Sequence, residues 1–134
     1  MAIKWTPDLS VGVKEIDAQH QAFVGMLNEL YDSFVVPDYK EKTGIILPRL
    51  VDYALLHFAT EEKYFDLFKY EGTEEHVKEH RDLQAKVEAF MRRYQSGENE
   101  IILELIDFME DWLVHHLQNL DMKYVKCFHD HGLY

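Results

Sequence analysis

Between Glu15 and Phe34, apolar side chains recur at Ile16, Phe23, Leu27, Leu30 and Phe34, the three-and-four spacing of one helical face. Val36-Pro37-Asp38 ends that pattern, because the residue before a proline is pushed out of the α region. A second stripe, from Lys40 to Tyr70, passes through Leu47, Leu50, Ala54, His57, Glu61, Tyr64 and Phe68. Pro48 falls inside it, so the spacing predicts either a helix starting near Leu47 with proline in its first turn or one kinked there. Gly72 is the expected C-terminal cap, and Thr73 the expected N-cap of a third helix. That third face carries His76, His80, Leu83, Val87, Phe90 and Tyr94. Beyond Ser96-Gly97, a fourth runs through Ile102, Leu105, Met109, Trp112, His116 and Leu120. Sustained period-two alternation is missing, so strands are not expected. Four amphipathic helices with short connections predict an all-α, antiparallel up-down-up-down four-helix bundle. An irregular arm, residues 1–12, precedes it, with Trp5 and Pro7 expected against the body. No linker divides the chain, and 1–134 reads as one domain.

Composition narrows the function. A net charge of −11 repels phosphate backbones and anionic lipid, which argues against nucleic-acid and membrane-surface roles. No apolar run is long enough to span a bilayer, and the N-terminus lacks the run of a signal peptide. The single cysteine, Cys127, excludes an internal disulfide framework and a multi-thiolate metal site, and it reads as an inert, partly buried thiol. The expectation is a monomer in the reducing cytoplasm, with neither nucleic acid nor membrane as partner.

The eight histidines change the picture, because several stand where leucines belong. His57 and Glu61 continue the second stripe, four residues apart on one face, and His76 and His80 do the same on the third. His20 lies between Ile16 and Phe23, and His116 between Trp112 and Leu120. Singly, each has an ordinary reading, as a satisfied core histidine or a helical hydrogen-bonded pair. Jointly, every helix aims at least one ligand-type residue at the bundle axis, where an unpartnered polar group costs roughly 1–3 kcal/mol. A bound cation reverses that cost. Asp121 is the outlier. Five positions after His116, it lies about 140° away on an ideal helix and reads as surface charge unless the helix is distorted.

Five imidazoles with one or two carboxylates exceed the needs of one ion, and the nitrogen/oxygen set suits two adjacent transition metals, iron foremost. Counting two bridging carboxylates and one bridging oxygen, two octahedral ions keep a single free position. An odd number of histidines also forces an uneven split, one ion three-His and saturated, the other two-His and open.

In order and spacing, these residues resemble the bacterial hemerythrin family over nearly the whole chain. The resemblance rests on Trp5, Val11-Gly12-Val13, Ile16-Asp17 and Gln19-His20-Gln21, then His57-Phe58-Ala59-Thr60-Glu61-Glu62, then His76-Val77-Lys78-Glu79-His80, then Trp112-Leu113-Val114-His115-His116 with Asp121 and Tyr124. It implies a non-haem diiron site that binds dioxygen reversibly. It implies that His76, His80 and His116 hold the saturated iron, that His20 and His57 hold the open one, and that Glu61 and Asp121 span both. Phe58, Trp112, Leu113 and Leu117 look like the apolar wall of the oxygen pocket. Leu117 stands where the family often has isoleucine, His115 where asparagine is more usual, and Pro48 is atypical. His129 and His131 read as a solvated tail.

The role expected from the resemblance is an oxygen carrier, store or delivery module, not an enzyme, with an oxygen-consuming enzyme as candidate recipient. Two alternatives stay open: an oxygen or redox sensor domain, and a di-iron enzyme (oxidase, peroxidase or nitric-oxide-responsive repair protein). The Glu-x-x-His pairs of ferritin-like oxidases are missing from the stripes, which weighs against the enzyme.

Overall fold

The computed structural model describes residues 3–98 and 100–134; Met1 and Ala2 of the expected arm, and Asn99, lie outside them. Four helical rods pack as an antiparallel up-down-up-down bundle, and the described residues contain no strand. They are α1 (Lys14–Phe34), α2 (Tyr39–Phe68), α3 (Thr73–Gln95) and α4 (Ile102–Asp111). The last continues without a break through a π-helical stretch, Trp112–Leu120, a 3-10 turn, Asp121–Tyr124, and a short α5 (Val125–Asp130). Helix α1 packs on α2 and α4, and α2 on α3.

The stripes face inward as their spacing requires: Ile16, Phe23, Leu27 and Leu30 from α1, Leu47, Leu50 and Ala54 from α2, Leu83 and Val87 from α3, and Leu105 and Met109 from α4 are all buried. Phe34, the last residue of α1, is the exception at 48% exposed. Two apolar clusters result. The larger fills the body of the bundle, and a smaller one of Val11, Val13, Ile16, Phe65, Tyr124 and Phe128 closes the end where the arm meets α5. The polar donors described below lie where these two clusters meet.

Several local expectations are corrected. Helix α2 begins at Tyr39, so Pro48 stands inside it rather than in its first turn. Proline leaves the Gly44 carbonyl without its usual amide partner. Gly44 is needed for space, since a Cβ there would come within 2.3 Å of the Tyr94 hydroxyl, which donates to the Lys40 carbonyl. Lys69, not Gly72, takes the left-handed position after α2, at φ 53°, and the Tyr70 amide bonds the Phe65 carbonyl. Thr73 is already helical, and its hydroxyl donates to the Tyr70 carbonyl. In the arm, Trp5 packs against the core as expected, whereas Pro7 is exposed and only opens a 3-10 turn, Pro7–Leu9. The anchors are Leu9, Val11 and Val13, all buried.

Candidate metal centre

His57 and Glu61 stand one turn apart on α2, and His76 and His80 one turn apart on α3. Helix α1 adds His20 between buried Ile16 and Phe23. The fourth rod adds His116 and, contrary to the surface position that α-helical spacing gives it, Asp121. The cause is local. Trp112–Leu120 is π-helical, and the Asp121 amide donates to the His116 carbonyl five residues back. This i→i+5 register turns residues five apart onto one face. All seven residues are buried, none more than 2% exposed.

Their donor atoms form two groups. Glu61, His76, His80 and His116 offer four atoms all within 4.8 Å of one another, and so do His20, His57, Glu61 and Asp121. Asp121 faces both ways. Its Oδ1 lies 2.8 Å from His76 Nε2 and 3.2 Å from His116 Nε2, while its Oδ2 lies 3.1 Å from His20 Nε2 and 3.8 Å from His57 Nε2. Glu61 Oε1 is 2.8 Å from His80 Nε2, 3.3 Å from His57 Nε2 and 3.5 Å from His76 Nε2. Close as these contacts are, Nε2 of His20, His57, His76 and His116 are out of line for hydrogen bonds to the carboxylates. They and Glu61 Oε2 are buried without a partner. Among the described residues neither carboxylate pairs with Lys or Arg. Two buried carboxylates and a ring of unpartnered nitrogens, with neither Lys nor Arg among the described residues to balance them, form a donor set that fits metal ions.

Electrostatics follow from this crowding. Burial and the neighbouring Asp121 push the Glu61 carboxyl up, but the His57 ring, the nearby His76 ring and the hydrogen bond with His80 outweigh them and hold it below its ordinary range. Burial likewise opposes ionisation of Asp121, and His116, His20, His57 and His76 together hold it well below the ordinary value. Burial lowers His76, yet contact with Asp121 and Glu61 lifts it to about 9. Burial dominates at His116 and lowers it to about 4.

Around the donors lies an apolar wall. The Phe58 ring stacks 4.1 Å from His80 and lies 5.7 Å from Trp112, which packs 4.9 Å from Phe23. Leu113 and Leu117 are buried in the same cluster. Three groups escaped the stripe analysis. Tyr53, one turn before His57, stacks on that ring at 5.3 Å, and its hydroxyl is buried without a partner. Gln19 Oε1 accepts from His57 Nδ1 at 2.7 Å, and Glu62 Oε2 from His80 Nδ1 at 2.8 Å. The only signal for Gln19 and Glu62 was their place beside a ligand-type residue, off the buried face.

Outside the centre, His115 is exposed. The C-terminal histidines read as a solvated tail are solvent-accessible, His131 exposed and His129 half-buried, but they also make contacts: His129 Nε2 donates to the Gly12 carbonyl at 2.9 Å, and the His131 ring stacks 4.6 Å from Phe68. No helix among the described residues is long and apolar enough to cross a membrane.

Comparison with known proteins agrees with this geometry. The family model described as the hemerythrin HHE cation binding domain matches residues 11–128. Bacteriohemerythrin of Pseudomonas aeruginosa is 36% identical over 123 residues, 90% of this chain and 78% of that protein. Bacteriohemerythrin of Methylococcus capsulatus is 30% identical over 124 residues, 92% and 94% of the two chains. A crystal structure of wild-type hemerythrin superposes with a TM-score of 0.86 at 28% identity, covering 95% of this chain and 98% of that one. With that match spanning most of the sequence, and with a His/Glu/Asp cluster able to hold metal at its core, the chain belongs to the hemerythrin family.

Proposed function

We propose that this chain, taken as one domain over 1–134, holds two iron ions and binds dioxygen reversibly as a carrier, store or delivery protein rather than as an enzyme. In this reading His76, His80 and His116 hold one iron, His20 and His57 the other, and Glu61 and Asp121 span the pair. The observation that carries it is the uneven division of donors: a three-histidine group and a two-histidine group share Glu61, while Asp121 turns one oxygen toward each. When bound, a ferrous pair supplies two electrons and one free coordination position for a small diatomic ligand.

The residues do the rest. Glu61 and Asp121 stay ionised in the interior because imidazoles surround them, so the site offers anionic oxygen at neutral pH. Phe58, Trp112, Leu113 and Leu117 would exclude water, and with it a source of protons, from the side of the donors they cover. The π-helical register holds Asp121 at the axis.

The reading further places the protein in the cytoplasm as a monomer that hands oxygen to an oxygen-consuming enzyme. The test is anaerobic reconstitution with ferrous iron, followed by iron counting and optical spectra through cycles of air and argon. Two irons per chain with a charge-transfer band that comes and goes is the expected result. Retention of fewer than two irons, or a single irreversible oxidation, would overturn it.

A further inference from the structure

The two halves of the centre differ in what stands behind their histidines. Behind His80, Nδ1–H points at a carboxylate, Glu62 Oε2, at 2.8 Å. Glu62 is itself gripped by Arg81, whose Nη2 lies 2.5 and 2.7 Å from its two oxygens. Arg81 Nη1 in turn donates to Gln84 Oε1 at 2.8 Å. Behind His57, Nδ1–H points at a neutral amide oxygen, Gln19 Oε1, at 2.7 Å. The amide cannot turn round, because its Nε2 donates to Thr60 Oγ1 at 3.0 Å and the Thr60 hydroxyl is committed to the Leu56 carbonyl at 2.9 Å. The Nδ1 atoms of His20, His76 and His116 have no such partner among the described residues.

Both contacts set the tautomer, leaving Nε2 as the nitrogen that faces the centre. They differ in charge. An imidazole N–H bonded to a carboxylate gains imidazolate character and becomes a stronger donor, whereas an amide oxygen orients the ring with much less electron release. Resting on the diiron reading above, we infer that Glu62 and Gln19 are positioning residues that make the centre electronically unequal. Glu62, held by Arg81, enriches the three-histidine half and favours ferric charge there. Gln19 keeps the two-histidine half electron-poor, which favours easy release of the ligand bound on that side.

The test uses the full chain with the near-isosteric Glu62→Gln and Gln19→Glu and the one-methylene-shorter Glu62→Asp, all at partly exposed positions, with far-UV circular dichroism of the metal-free proteins as the folding control. Affinity is read with cobalt(II) alone, which needs no oxygen chemistry, and the midpoint potential with the iron-loaded protein under argon. Glu62→Gln is expected to weaken cobalt binding about 10–100-fold and to raise the midpoint. Glu62→Asp should recover part of both, and Gln19→Glu should move the midpoint the opposite way. A merely structural role would not produce opposite signs. Unchanged affinity and midpoint in Glu62→Gln, or shifts of the same sign in Glu62→Gln and Gln19→Glu, would overturn the inference while leaving the diiron reading intact. Opposite shifts in a protein that takes up two irons yet does not bind oxygen reversibly would uphold the inference and sink the oxygen-binding reading instead.

Discussion

The amide of Asp121 donates to the carbonyl of His116, five residues back, and this one bond places both side chains on the same face of the fourth rod. An α-helical register would have sent the carboxylate about 140° away. The donor set spanning both halves of the site therefore depends on a stretch of backbone in a rare conformation. Such π segments recur at functional sites.

Asp121→Asn separates folding from function. Asp121 is fully buried and ionised, with no Lys or Arg partner among the described residues. The amide removes that charge while keeping the shape. The metal-free variant should be less stable than the parent, by about 1–3 kcal/mol, because the fold favours the ionised carboxylate that His116, His20, His57 and His76 surround. Its uptake of iron should fall below two per chain. Denaturant melts of the metal-free proteins and iron counting read the two effects, and a stabilised metal-free variant would contradict the first.

How much of this was legible in the sequence depends on the period. The bundle, and five of the donors beside Glu61, sit on three-and-four stripes, so Ile16, Leu50, His57 and His80 could be placed from spacing alone. Asp121 could not, since nothing in Trp112–Leu120 announces a change from i→i+4 to i→i+5 bonding, and only resemblance to a family brought it in. Gln19, Glu62 and Tyr53 were hidden for another reason. Gln19 and Glu62 act on the far side of a histidine, where polar residues beside a stripe look like ordinary solvated neighbours, and Tyr53, stacked on His57, looks like ordinary core. Pro48 left two readings open, a start near Leu47 or a helix continuing through it, and the first fails because α2 runs from Tyr39 to Phe68.

The metal-free protein should show a stability maximum near pH 6–7. His76 is raised to about 9, so the stability it contributes is fully present below its unfolded value near 6.5 and is lost as pH climbs through 9. His116 is lowered to about 4 and stays neutral in the fold, so stability is lost as pH falls from 6.5 toward 4 and the unfolded chain takes the proton. Glu61 and Asp121, both lowered, add losses at still lower pH. Thermal melts from pH 4 to 10 check the dome. The same shifts predict that metal uptake at pH 7.5 displaces a proton from His76 and that this release fades above pH 9; calorimetry in buffers of different ionisation enthalpy measures it.

Gly12 and His129 form a clasp between the arm and α5. Gly12 has φ +70°, and a Cβ there would stand 2.8 Å from His129 Nε2. Gly12→Ala thus combines backbone strain with a clash and should cost more than about 1 kcal/mol. His129→Ala loses the bond to the Gly12 carbonyl, about 1 kcal/mol, together with the stacking of its ring on Tyr134. Neither touches the centre, so both variants should bind iron like the parent, whereas His57→Ala should lose it. Loss of iron from His129→Ala would show that the clasp reaches the site.

Phe58 lies over both halves of the centre, its ring 4.1 Å from His80, 6.0 Å from His57 and 6.3 Å from His116. Phe58→Ala empties a buried volume next to the donors and should cost about 3–5 kcal/mol. The cavity is rimmed by imidazole and carboxylate, so it is polar enough to admit water, unlike a cavity lined only by hydrocarbon. Water beside the bound ligand gives protons a path, and oxidation in air should accelerate out of proportion to the loss of stability. Leu30→Ala supplies the control, being equally buried in the body cluster with no donor beside it. It should lose about 2–5 kcal/mol and keep the parental oxidation rate. Optical decay of the air-exposed ferrous protein, set against urea midpoints for both variants, separates the two effects. Equal oxidation rates at equal stability loss would remove Phe58 from the wall of the oxygen pocket.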